Sequence, residues 1–198
     1  IFMALDYDPN RLWLNRQDGT FNNVAAGVGC ANAWNDMGVA LGDFDHDGDF
    51  DVMVTNIQAD ADAGNSYAGR HNVLYRNDTV GAAVSFAEIA EACGVADGDW
   101  GWGVTFLDSD CDGWLDLATL RSGVHLRTGP RTFEQHNVAH LMSAENLVAR
   151  DLDADGLLDL AWNDPQYDLV GVARNLGRGE FGHTNFMHPC ANPGAPAF

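Results

Sequence analysis

Three segments of the chain repeat one spacing of carboxylates. The first runs Asp43-Phe44-Asp45-His46-Asp47-Gly48-Asp49-Phe50-Asp51, the second Asp108-Ser109-Asp110-Cys111-Asp112-Gly113-Trp114-Leu115-Asp116, and the third Asp151-Leu152-Asp153-Ala154-Asp155-Gly156-Leu157-Leu158-Asp159. All read D-x-D-x-D-G-x-x-D and run into an apolar stretch. In such a loop the side chains at positions 1, 3, 5 and 9 converge, glycine at position 6 permits the sharp turn, and position 7 offers its backbone carbonyl. Several hard oxygen ligands on one point suit Ca²⁺, which takes six to eight of them; Mg²⁺ holds its waters and is seldom caged by protein alone. Without a cation, four carboxylates so close repel one another and resist ionisation. An EF-hand loop begins alike but needs a bidentate Glu at position 12 and flanking helices. Val54, Thr119 and Trp162 stand at that position here, each among apolar strand residues. Solvated turns need only one or two Asp or Gly residues, so three copies of a four-carboxylate spacing argue for three calcium sites.

The elements that position these loops are short strands. Gly38-Val39-Ala40-Leu41 and Gly103-Val104-Thr105-Phe106 enter loops, and Asp51-Val52-Met53-Val54 and Asp116-Leu117-Ala118-Thr119 leave them, predicting a hairpin with an acidic turn. A second motif recurs between the loops: Asn10-Arg11-Leu12-Trp13-Leu14-Asn15 leads to Asp18-Gly19-Thr20-Phe21, and Asn72-Val73-Leu74-Tyr75-Arg76-Asn77 leads to Ser85-Phe86. Weaker copies pair Val124-His125-Leu126-Arg127 with Thr132-Phe133, and Val170-Gly171-Val172-Ala173-Arg174-Asn175 with Phe181. The period lies in the mid-forties of residues with about four strands per repeat, the size of a β-propeller blade. The expected fold is therefore all-β, with blades of about four antiparallel strands and calcium-binding hairpin loops. We read 1–198 as a single propeller segment of about four blades, with repeats at 8–56, 72–120, 121–163 and 164–186 and a surface insertion at 57–71. No 3.6-residue period is long enough to predict a long helix.

Composition agrees with cation-holding turns. Of 29 acidic residues only five are glutamates, the ten basic residues are all arginine, and the net charge is −19. Aspartate favours turns and is a hard ligand. Nucleic acid is excluded as a partner, because phosphate binding needs clustered basic residues. No apolar run reaches the length of a membrane span. The four cysteines form no C-x-x-C pair, which argues against a zinc or redox site and leaves one or two disulfides open. His136 and His140 lack an evident third ligand, so zinc is not expected there. The six tryptophans are expected to pack between blades rather than stack on sugars. There is no G-x-S-x-G elbow, P-loop or H-E-x-x-H, and loop carboxylates held by metal cannot act as general acids, so no enzyme is expected.

At these residues the chain resembles the FG-GAP or VCBS repeats of the integrin alpha-subunit propeller. It resembles more closely the propeller repeats that accompany the ASPIC/UnbV domain in cartilage-acidic-protein-like secreted proteins, through Asn10-Arg11-Leu12-Trp13-Leu14-Asn15, Asp18-Gly19-Thr20-Phe21 and Trp100-Gly101-Trp102-Gly103-Val104. The resemblance implies Ca²⁺ on Asp43, Asp45, Asp47 and Asp51, on Asp108, Asp110, Asp112 and Asp116, and on Asp151, Asp153, Asp155 and Asp159, completed by the carbonyls of Asp49, Trp114 and Leu157. Such propellers usually close with about seven blades, so further blades from the same or another chain are expected. Ile1-Phe2-Met3-Ala4 looks like the strand that follows a loop. The expected function is non-enzymatic: a secreted, extracellular or periplasmic calcium-binding module for adhesion, assembly or protein contact. The alternative is a carbohydrate-binding propeller, either a lectin or the accessory domain of a secreted enzyme. Secretion follows from calcium, since millimolar ion outside cells fills weak sites that cytosolic levels leave vacant.

Overall fold

A computed structural model describes residues 1–57, 71–98, 101–136, 138, 145–182 and 185–188. Residues 58–70 of the insertion expected at 57–71, Trp100, His140 and Cys190 lie outside the described residues. The chain forms a row of antiparallel sheets, each a run of consecutive strands. The first is β1(Phe2–Met3), β2(Arg11–Asn15) and β3(Phe21–Asn23). The second is β4(Asp36–Gly42), β5(Asp51–Asn56), β6(Val73–Asn77) and β7(Phe86–Glu88), and the third is β8(Val104–Leu107), β9(Asp116–Thr119), β10(Gly123–Gly129) and β11(Thr132–His136). The fourth is β12(Leu147–Arg150), β13(Asp159–Asp164), β14(Leu169–Ala173) and β15(Asn185–Met187). This is the all-β, propeller-blade architecture the repeats predict. Each of the three later sheets takes its first two strands from one sequence repeat and its last two from the next. An acidic loop therefore always joins the first strand of a sheet to the second, and β1 occupies the place that β5, β9 and β13 occupy in the later sheets.

Apolar side chains on both faces of the middle strands explain the stacking. Along β5, Val52 and Val54 pack with Leu12, Ala25, Cys30 and Tyr75 between the first and second sheets. Met53, on the opposite face, joins Phe44, Leu74, Leu117 and Phe133 between the second and third. Leu120, Leu126, Leu160 and Trp162 fill the space between the third and fourth. A strand that alternates sides yet meets apolar neighbours on both must be buried throughout, and all six residues of β5 are. The first strands β4, β8 and β12 lie side by side. Their backbones come close at Gly38, where a β-carbon would stand 1.9 Å from the Trp102 carbonyl oxygen. Thr55 bridges the same gap: its hydroxyl accepts from the Gly38 N–H at 2.9 Å and donates to the Trp102 carbonyl at 2.7 Å.

Two four-residue helical turns, α1(Ala25–Val28) and α2(Ala90–Cys93), connect the last strand of one sheet to the first of the next. Each ends on a glycine in the left-handed region, Gly29 (φ 90°) and Gly94 (φ 77°), where a side chain would be strained. No helix among the described residues is long and apolar enough to cross a membrane. Cys30, Cys93 and Cys111 are free thiols, so no disulfide joins the described cysteines. Burial pushes the Cys30 thiol up to about 11.

Candidate metal centres

The three acidic loops have one backbone and one hydrogen-bond plan. Position 4 has positive φ in each, His46 at 60°, Cys111 at 61° and Ala154 at 64°. Position 6 follows with Gly48 at 95°, Gly113 at 89° and Gly156 at 91°. These reversals fold the loop over its first carboxylate. One oxygen of Asp43, Asp108 and Asp151 accepts the N–H of the position-6 glycine, at 3.1 Å in every case. Asp47, Asp112 and Asp155 each accept the N–H two residues on, from Asp49 at 2.9 Å, Trp114 at 2.8 Å and Leu157 at 2.8 Å.

Position 9 is the deepest. Asp51, Asp116 and Asp159 are no more than 1% exposed, and both oxygens of each carboxylate are engaged. One accepts the N–H of position 2, from Phe44 at 2.9 Å, Ser109 at 2.9 Å and Leu152 at 3.0 Å. The other accepts an N–H from the third strand of the same sheet or the residue near its end: Asn77 at 2.8 Å, Arg127 at 2.7 Å and Asn175 at 2.8 Å. Two amide donors fix each buried carboxylate in place and offset part of its loss of solvation.

Within each loop the carboxylates of positions 1, 3 and 9 gather: Asp43, Asp45 and Asp51; Asp108, Asp110 and Asp116; Asp151, Asp153 and Asp159, each group offering ligand oxygens within 4.8 Å of one another. Asp47, Asp112 and Asp155 stand on the rim, outside these groups, held by the turns just described. The Asp45 Oδ1 atom is buried with no hydrogen-bond partner. Burial and the neighbouring carboxylates of Asp47 and Asp43 make Asp45 harder to ionise. Burial, opposed by its two amide donors, raises Asp51 to about 6. Asp110 and Asp116 are raised as well, chiefly by burial. Converging carboxylates, with Asp45, Asp51, Asp110 and Asp116 resisting ionisation and one oxygen of Asp45 orphaned, are a donor set that a hard divalent cation fits.

Several partners of the loops carry no motif of their own. Arg174 pairs with Asp153 at position 3 of the third loop, and Arg76 acts electrostatically on Asp45 in the first. The recurrence of Arg76-Asn77 and Arg174-Asn175 at the ends of corresponding strands was the available sign. Of the tryptophans, Trp162 is buried, Trp34 and Trp102 pack partly buried against the cores, and Trp114 is 39% exposed. His136 lies in β11.

Stacked antiparallel sheets with the same acidic turn between first and second strands define a β-propeller repeat protein. A model of the FG-GAP-like repeat matches residues 1–54, from β1 through the first acidic loop into β5. Among solved structures the chain is similar to an Agrocybe aegerita lectin, from work on specific recognition of non-reducing terminal N-acetylglucosamine, with 19% identity and a TM-score of 0.40. That similarity covers 91% of this chain, which spans 60% of the lectin chain. No curated protein sequence matches.

Proposed function

We propose that the chain is a calcium-stabilised, non-catalytic propeller module that presents a rigid surface to a protein or glycan partner outside the cytoplasm. The observation that supports it is the threefold repetition of one donor set, including the two amide donors that hold each position-9 carboxylate at the bottom of its loop. Millimolar calcium outside the cytoplasm would fill even weak sites of this kind, which favours a secreted or periplasmic setting. The ion would offset part of each loop's negative charge and hold the turn that joins the first two strands of a blade. The finer resemblance to propellers that accompany the ASPIC/UnbV domain supports the same setting. Chelation tests the proposal: EDTA should lower the melting temperature and added Ca²⁺, but not equal Mg²⁺, should restore it. An unchanged melting temperature on chelation would sink it.

A carbohydrate-binding reading has one observation in its favour. A cleft of about 450 Å³ is lined by Trp34, His71, Asn32 and Glu88 among others, with the Trp34 and His71 rings edge to face at 4.8 Å. An aromatic wall beside polar groups suits a sugar ring. Glycan-array binding that is lost in Trp34→Ala and kept in Asp45→Asn would favour this reading; an array with no signal would remove it.

A further inference from the structure

The residue whose N–H holds a position-9 carboxylate also reaches back to the loop of the preceding blade. Arg127 donates its N–H to Asp116 of the second loop at 2.7 Å. Its guanidinium lies 4.2 Å from the centre of the Trp114 ring, at position 7 of that loop, and 5.3 Å from the ring of Phe44, at position 2 of the first loop. Phe44 is fully buried, and its own N–H holds Asp51 at 2.9 Å. His46, at position 4 of the first loop, stacks on Trp114 with ring centres 4.1 Å apart and planes 13° from parallel. The next boundary repeats the plan with different chemistry. Asn175 donates its N–H to Asp159 at 2.8 Å, and its side-chain amide donates to the Ser109 carbonyl, position 2 of the second loop, at 2.7 Å. Ser109 in turn donates its N–H to Asp116 at 2.9 Å.

A continuous series of contacts therefore runs from Asp51 through Phe44 and Arg127 to Asp116, and from Asp116 through Ser109 and Asn175 to Asp159. Arg127 is only 6% exposed, and its side-chain N–H groups reach the carbonyls of Gly129 at 3.0 Å and Pro130 at 2.8 Å. A buried cation so fixed, with an aromatic ring from each loop beside it, has little freedom to follow one loop without the other.

We propose that Arg127 and Asn175 are positioning residues that join the three loops in series, so that cation binding at one loop raises the affinity of its neighbour. This rests on the calcium reading above. A cation that orders the first loop fixes Phe44 and His46, and these then present a settled surface to Trp114 and Arg127 around the second. The effect is reciprocal by linkage, and couplings of this kind commonly amount to roughly 5- to 150-fold in affinity. Contact alone does not measure coupling, so the test is a mutant cycle.

Chelator-treated, isotope-labelled protein is titrated with Ca²⁺, and loop-2 occupancy is read by NMR from the amide of Gly113, whose N–H donates to Asp108 at 3.1 Å. Disabling the first loop with Asp45→Asn should weaken loop-2 binding at least about fivefold. In an Arg127→Asn background, which supplies the residue found at the equivalent Asn77 and Asn175, the same lesion should change it by less than about twofold. A loop-1 effect that survives Arg127→Asn overturns the assignment to Arg127. Should Arg127→Asn fail to fold, the comparison of parent with Asp45→Asn still decides: equal loop-2 affinities refute coupling while leaving the calcium sites standing. Absence of any Ca²⁺ binding to the parent refutes the calcium reading itself.

Discussion

Asp45→Asn should change stability in opposite directions with and without calcium. Asp45 is one of three carboxylates that converge in the first loop, its Oδ1 has no hydrogen-bond partner to lose, and burial with the charges of Asp47 and Asp43 makes its ionisation unfavourable. Removing the charge therefore relieves the metal-free loop, and in EDTA the variant should melt at or slightly above the parent. On the calcium reading the same carboxylate serves as a ligand. At an ion concentration about a hundredfold above the dissociation constant, one site contributes about 2.7 kcal/mol. For a chain of this size that corresponds to a loss of about 5–11 °C in melting temperature. Thermal melts followed by far-UV circular dichroism in EDTA and in saturating Ca²⁺ give both numbers on one preparation. A calcium-dependent increment equal to the parent's would refute the reasoning, whatever the variant does in EDTA.

Other outcomes follow from packing and titration. Gly38→Ala places a β-carbon 1.9 Å from the Trp102 carbonyl oxygen and should destabilise by at least about 1–3 kcal/mol, read by urea denaturation in EDTA and in calcium alike; parent-like stability would show that the sheets do not approach there. His125 is 2% exposed, with neither ring nitrogen hydrogen-bonded among the described residues, and burial lowers its pKa from 6.5 to about 4. The unfolded chain takes up a proton below about pH 6.5 that the folded chain refuses until about pH 4. Stability should therefore fall by roughly 3 kcal/mol between those values. His125→Leu should remove that part of the acid slope, and an unchanged slope in urea titrations would contradict the assignment. In the folded protein Cys111 should react with a thiol reagent within minutes while Cys30 and Cys93, exposed and buried as the structure has them, react only on unfolding; simultaneous labelling of Cys30 would refute its burial.

The acidic loops were legible because their geometry is local: aspartates and a glycine at fixed places within nine residues bring positions 1, 3 and 9 together, while position 5, expected to join them, stays on the rim. The repeat was legible from the return of Asn72-Val73-Leu74-Tyr75 after Asn10-Arg11-Leu12-Trp13, and blade size from the even spacing of Phe86, Phe133 and Phe181. The positive φ of His46, Cys111 and Ala154 was not, since three unlike residues adopt it and the folded turn alone reveals it. Nor were α1 and α2 read, although Phe21-Asn22-Asn23-Val24-Ala25 and Phe86-Ala87-Glu88-Ile89-Ala90 precede them in parallel, with Gly29 and Gly94 closing each turn. Four residues are too few for a helical period to show. The division of labour among aspartates was also hidden: burial separates Asp51, fixed by amides of its own loop and of β6, from Asp47 on the rim. The Arg127 contacts needed the structure, because Phe44 and Trp114 come from different sheets and Arg127 replaces the asparagine found at the equivalent Asn77 and Asn175.

The central claim is tested most directly by counting ions. Equilibrium dialysis against labelled Ca²⁺ should find three ions held by the loops, and the combined variant Asp45→Asn, Asp110→Asn, Asp153→Asn should lose all three while keeping its far-UV spectrum. A parent that binds none, or a triple variant that binds as many as the parent, would contradict the account.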